Sequence, residues 1–194
     1  MSGSRELFGG AITATLPVAL LDASYVSSTK PTSSVLHDLR RNFRQVPDTQ
    51  EVYLSPDSGI SIIVEVLESV SATDLREAAG QHFDSLAHDN DARSQSVIET
   101  VEVPNDSNGA TPNPIVLYGT QSVQKFNTAT ADEVRILLAL YRVPQKNVDL
   151  VMTMNAPMTG ADGDAVTEKE WGTARDAFNT AARSLRIVDY GLFA

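Results

Sequence analysis

The chain has 194 residues, 42% of them hydrophobic and 21% charged, which suits one domain with a core of its own. Its formal net charge of −10, from 25 acidic against 15 basic side chains, disfavours nonspecific binding to nucleic acid or to an anionic membrane and favours a basic partner. There is no cysteine, which excludes disulfides, thiolate metal sites and a cysteine nucleophile and agrees with a reducing compartment.

The apolar stretch from Leu7 to Leu21 has the length of a signal-peptide core, but it contains Gly9-Gly10 and Pro17 and follows a single basic residue, Arg5. No signal peptide is expected. No apolar run is long enough to span a bilayer. A soluble, intracellular protein is expected.

Leu7 to Leu16 reads as one strand, broken or bulged at Gly9-Gly10 and ended by Pro17. Ser27 to Ser34 has the composition of a loop or of disorder. Val35 to Asn42 is compatible with a short helix capped by Ser33 or Ser34.

Next comes Arg44-Gln45-Val46-Pro47-Asp48-Thr49-Gln50-Glu51-Val52-Tyr53. Pro47 fixes its own φ and biases Val46 toward an extended conformation. A turn at Pro47-Asp48 should lead into a strand at Glu51-Val52. Asp48 and Glu51 then sit on the turn and at the strand start, where functional groups are often displayed. A turn aspartate also commonly does no more than bond its own backbone.

Ile60 to Leu67 is a strand whose near-continuous apolarity predicts a central position covered on both faces. Glu65 interrupts it and must be paired or reach an opening, because a lone buried carboxylate is expensive. Thr73 to Asn90 is an amphipathic helix, with Leu75, Ala78, Ala79, His82, Phe83, Leu86 and Ala87 on one face. Ser71 and Asp74 suit a capping box, and His82 is read as a packed histidine. Val97 to Val103 is a weaker strand, followed by a loop from Pro104 to Pro114. Ile115 to Phe126 and Val134 to Val143 read as long strands.

Val148, Leu150, Met152 and Met154 alternate with Asp149, Val151, Thr153 and Asn155, the pattern of a half-buried strand. Pro144 to Asn147 joins it to the preceding strand as an antiparallel hairpin. Ala156 to Ala165 is a loop. A last helix starts at Thr167, with Thr167 and Glu170 as a capping box and Val166 with Trp171 as a hydrophobic staple. Strands, one helix, more strands and a final helix give an α+β protein with a mostly antiparallel sheet flanked by helices. Ile62, Val64, Phe83, Leu138, Leu140, Met152, Trp171 and Phe178 are predicted to be buried.

No G-x-x-x-x-G-K-S/T phosphate loop, G-x-S-x-G elbow, H-E-x-x-H or G-x-G-x-x-G is present. Asp162-Gly163-Asp164 lacks the rest of a calcium loop, since Val166 stands where an oxygen ligand is needed. Two carboxylates do acid–base work when their environments separate their pKa values. Asp48 and Glu51 would need a pocket and a third group for that, and a binding role is more economical. The alternative is a small-ligand binder or hydrolase built around Glu65.

The stretch from Arg44 to Leu54 resembles the signature of the Ran guanine nucleotide release factor family, also called the Mog family of nuclear import proteins. Glu6 to Ile12, Leu21 to Ser24 and Ser61 to Glu68 resemble that family's opening, its D-A-S and its first long strand. Ile187 to Ala194 resembles the tail of its fungal members. The chain departs from the pattern where Tyr25 to Phe43 lengthen the connection between the D-A-S and the arginine. This is either a flexible insert or translated intron sequence.

The resemblance implies an α/β/α sandwich with a PsbP-like fold, formed by residues 1–194 as one Ran-binding domain with an insert at 25–42. It implies binding of the small GTPase Ran, release of its guanine nucleotide without covalent catalysis, and support of nuclear import. The Ran-contacting residues it implies are Asp48 and Glu51, with Arg44, Pro47, Gln50 and Asp22 around them. A monomer in nucleus and cytoplasm is expected, with no cofactor, metal, nucleic acid or membrane partner.

Overall fold

Period-two apolar patterning yields a seven-stranded antiparallel sheet in the computed structural model, which describes residues 1–23, 46–107, 109–124, 131–159 and 165–194. Its strands are β3 (Leu21–Asp22), β4 (Gln50–Leu54), β5 (Ser61–Glu68), β6 (Ala92–Glu102), β7 (Ile115–Val123), β8 (Asp132–Val143) and β9 (Val148–Pro157), in the order β3-β4-β5-β9-β8-β7-β6. A second antiparallel sheet joins β1 (Ser2–Leu7), β2 (Ile12–Pro17) and β10 (Arg186–Ile187).

Helix α1 (Leu75–Asp89) covers one face of the large sheet, over β6, β7 and β8. Ala78, Ala79 and Phe83 pack there on Leu117, Leu138, Leu140 and Val151. Gly119 permits the approach: a Cβ at that position would lie 2.5 Å from Phe83 Cζ. Helix α2 (Glu168–Ser184) and the small sheet cover the other face. Trp171 and Phe178 pack there with Ile12, Leu16, Ile62, Val64, Tyr141 and Met152. The α+β class and the helix-flanked antiparallel sheet agree with the sequence reading, and all eight residues predicted to be buried are buried.

Both predicted devices at the start of α2 are present. Thr167 Oγ1 accepts the Glu170 N–H at 3.3 Å and Glu170 Oε2 accepts the Thr167 N–H at 2.9 Å, while Val166 and Trp171 are buried in the same cluster. At the start of α1 the expectation fails. Asp74 is itself the cap, accepting the N–H groups of Arg76 and Glu77 at 2.9 Å each, and the helix begins at Leu75.

Three strand readings also change. Leu7 to Leu16 is a hairpin, because Phe8, Gly9 and Gly10 all have positive φ (50°, 63° and 93°) and reverse the chain so that Leu7 faces Ile12. On β5, Ile62 and Val64 are buried, while Ile63, Glu65 and Leu67 are only half-buried because α1 lies over other strands. β9 is buried on both faces, because Asp149, Val151 and Thr153 on the face expected to be exposed are covered as well as Leu150, Met152 and Met154. The predicted helix at 35–42 and the Asp162-Gly163-Asp164 loop lie outside the described residues.

Asp149 is fully buried and bonded from three sides. Arg142 donates from Nε to Oδ1 and from Nη2 to Oδ2, both at 2.8 Å; His82 Nε2 lies 2.8 Å from Oδ2; and the Ser69 hydroxyl and Val70 N–H donate at 3.2 Å. The packed histidine thus ties α1 to the sheet. Burial alone would raise the Asp149 pKa, but hydrogen bonds from Arg142, His82 and Val70 outweigh it and hold the carboxyl well below the usual range.

A depressed folded-state pKa contributes stability that is present above the unfolded value of about 4 and is lost as pH falls through the folded value. Asp149→Asn should therefore cost about 3–5 kcal/mol at neutral pH, since Arg142 loses its charged partner. It should also flatten the loss of stability below about pH 4. Urea unfolding across that range checks this; a variant with the wild-type acid slope would contradict it.

Candidate functional site

The Pro47–Gln50 turn is closed by the Gln50 N–H donating to the Pro47 carbonyl at 2.9 Å. The Thr49 carbonyl accepts the Val66 N–H at 2.9 Å, which fixes the turn against β5. Asp48 stands exposed on this turn. Gln50 points to the other face of β4 from Glu51 and donates to Glu65 Oε1 across the strand pair.

Glu51 sits near the start of β4, as the sequence places it, and is half-buried. Its Oε1 accepts the main-chain N–H of Phe8 at 2.7 Å, and its Oε2 accepts the Tyr53 hydroxyl at 3.3 Å. It therefore links the large sheet to the hairpin turn of the small one. Tyr53 is buried, with the Arg5 guanidinium 5.4 Å from its ring centre. Arg5 also donates to the carbonyls of Val18 and Leu20 at 2.8 and 2.7 Å. Burial pushes the Tyr53 hydroxyl pKa far up, the negative charges of Glu51 and Asp22 add to this, and Arg5 opposes it. Asp22 lies directly opposite Tyr53 in the β3–β4 pairing.

The C-terminal tail completes the corner. The N–H groups of Val188 and Asp189 donate to the Ala11 carbonyl at 2.8 and 3.0 Å, and the Asp189 carboxylate accepts the Gly191 N–H at 2.7 Å. Leu192 is thereby brought beside the hairpin turn. Phe8, Val46, Pro47, Asp48, Gln50, Glu51 and Leu192 line an open hollow of about 330 Å³.

Of the residues singled out in the sequence, Asp48, Pro47, Gln50 and Glu51 line this one hollow. Asp22 joins it electrostatically through Tyr53, and Arg44 lies outside the described residues. Sequence reasoning missed Phe8, Tyr53 and Leu192 as members of the site. Phe8 acts through its main-chain N–H, which has no side-chain signature.

Glu65, the centre of the alternative reading, is half-buried and bonded by the Gln50 amide. Burial raises its pKa, Asp89 adds to this, and Gln50 and His82 oppose it. Among the described residues no group of three or more His, Cys, Asp or Glu is arranged to hold a metal ion.

Fold and site together define a class: an α+β sandwich carrying an acidic, apolar-walled hollow where two sheets and the C-terminal tail meet. The chain belongs to the Mog1 family, since residues 33–157 match the family model described as Ran-interacting Mog1 protein. The Ran guanine nucleotide release factor of Danio rerio is 32% identical over 200 residues, covering 98% of this chain and 99% of the relative. The nuclear import protein MOG1 of Saccharomyces cerevisiae is 29% identical over 206 residues, covering 97% and 84%. The crystal structure of the Saccharomyces cerevisiae Ran-binding protein Mog1p superposes with a TM-score of 0.72 at 26% identity, covering 100% of this chain and 99% of that one.

The two acids should separate in stability measurements. Glu51→Ala should cost about 1.5–3 kcal/mol, because it strands the part-buried Phe8 N–H, whereas Asp48→Ala should stay within about 0.5 kcal/mol of wild type. Equal unfolding midpoints for the two variants would contradict the link between the sheets.

Proposed function

We propose that this protein binds the small GTPase Ran, promotes release of its guanine nucleotide and supports nuclear protein import. Near-full-length similarity to Ran guanine nucleotide release factors and to nuclear import proteins supports this reading. The observation that carries its placement on the molecule is the corner where Asp48 and Glu51 share one hollow.

The two acids take different roles. Asp48, exposed on a rigid turn, pairs with a basic residue of Ran. Glu51 holds the hairpin turn in place and adds negative charge behind it. Pro47 and Gln50 set the turn, Asp22 reinforces the negative potential, and Arg44 precedes the turn as a flanking contact. Nucleotide release follows from linkage: a partner that prefers empty Ran lowers nucleotide affinity by the factor by which nucleotide lowers its own. No covalent step and no cofactor is required of this chain, which acts as a monomer in nucleus and cytoplasm.

Residues 1–194 act as one Ran-binding domain, with 25–42 as an insert. Ala23 and Val46 support this division, because both pack on the patch formed by Val52, Leu54 and Ile63.

Asp48→Lys should lower Ran affinity about 30-fold or more, the equivalent of about 2 kcal/mol or above for an interfacial charge pair, with a melting temperature near wild type. Wild-type binding should weaken as salt rises. A control with Asp176→Lys, equal in charge change, exposed and outside the hollow, should bind nearly normally. Equal loss in Asp48→Lys and the control, measured by calorimetry with Ran in its GTP, GDP and empty states, would show that only net charge matters.

A further inference from the structure

A second cleft, of about 330 Å³, lies between the β6 end of the large sheet and α2. It exists because α2 packs chiefly on β2, β8 and β9, which leaves this end of the sheet partly uncovered. The floor is apolar, formed by Val101, Val103, Val116 and Leu137. Tyr118 adds an aromatic wall, its ring 5.5 Å from that of Trp171. The facing wall is helical. Arg175, Asn179 and Arg183 recur every four residues along α2 and so share one stripe. Arg183 is already paired, with Nε and Nη2 donating to the Asp106 carboxylate at 3.0 and 2.9 Å. The side chains of Arg175 and Asn179 make no hydrogen bond or ion pair to any other described residue.

These features select the occupant. A cation is repelled by the two arginines. A purely apolar guest would cover the donors of Arg175 and Asn179 without giving them partners, which is costly. A polyphosphate would need several cations, and within the described residues Arg175 is the one lining cation not already paired, in a chain of net charge −10. A single carboxylate on an apolar body meets each requirement. A guanidinium takes a carboxylate with two parallel N–H bonds, and the valine and leucine surface takes the body.

We propose that this cleft is a binding site for a small monocarboxylate with an aliphatic body. Arg175 and Asn179 bind the carboxylate, and Val101, Val103, Val116 and Leu137 take the body. Glu99, the one acid in the lining, is exposed on β6 and opposes the anion from the sheet side. At about 330 Å³ the cleft is at the small end of ligand pockets, which suits a short chain. It shares no residue with the hollow beside Asp48, so it is a function separate from the Ran reading and does not rest on it.

The test is titration of octanoate, octanol and octylammonium into the full-length, isotope-labelled protein, followed by amide chemical shifts. The site predicts that octanoate binds about tenfold more tightly than the other two, with shifts centred on Val101, Val103, Tyr118 and Asn179. Arg175→Gln should weaken octanoate about tenfold and leave octanol unchanged, whereas Glu99→Gln should strengthen octanoate about two- to threefold. Asn179→Trp, at an exposed position of α2, fills the cleft and should abolish binding of all three while the melting temperature holds. Equal binding of octanoate and octanol to the wild type, or octanoate affinity that Arg175→Gln leaves unchanged, would overturn the assignment. Shifts centred instead on the apolar hollow lined by Leu20, Ile60, Met154 and Ala177 would overturn it as well.

Discussion

The carboxylate of Glu51 is the joint on which the functional corner depends. It reaches out of the large sheet and takes the N–H of Phe8, a residue whose backbone is already in the left-handed region. A main-chain N–H in a tight turn has few partners available, and leaving it unpaired in a part-buried place costs more than a typical hydrogen bond gains. The bond therefore fixes the position of the hairpin turn, and the turn in turn receives the tail through the Ala11 carbonyl. Three stretches far apart in the chain meet there. Around the joint, Tyr53 and Arg5 form a second layer: the buried tyrosine steadies the carboxylate, and Arg5 faces the tyrosine ring while bonding the carbonyls of the β2–β3 connection.

The division of labour between the two acids follows from burial. Asp48 is exposed and costs little to reorient, so it is suited to meeting a charge from outside. Glu51 is half-buried and already bonded, so its value is in shape and field. The chain's net charge of −10 works in the same direction, because a negative surface speeds encounter with a basic partner before any specific contact forms. On the α1 side of the sheet, the Asp149 cluster ties three elements together. It anchors α1 to β8 and β9 and leaves the sheet a stiff platform for the turn that carries Asp48.

Much of the fold is legible in the sequence because it rests on local rules. The apolar runs of β8 and β9, the hairpin between them and the capping box at Thr167 need no distant information. What is not legible depends on partners supplied from elsewhere. Two adjacent glycines fit a bulge as well as a reversal, and only the pairing of Leu7 with Ile12 decides for reversal. Alternation puts Asp149 on a polar face, but Arg142 and His82 arrive to bury it. The candidate corner is marked in the sequence by a pair of acids next to a proline, with its partner suggested by resemblance. The different roles of those acids, and the presence of Phe8 and Leu192 beside them, follow only from tertiary contact.

The central claim is that Ran docks on the corner formed by the Asp48 turn, the Phe8 hairpin and the tail. Amide chemical-shift mapping of the isotope-labelled protein against unlabelled Ran tests it most directly. The account predicts that the largest shifts or line broadening fall together on Phe8, Asp48, Gln50, Glu51 and Leu192, with α1 and β6 nearly unchanged. Perturbation centred on α1 or on the exposed strand β6, with the Asp48 turn silent, would contradict it.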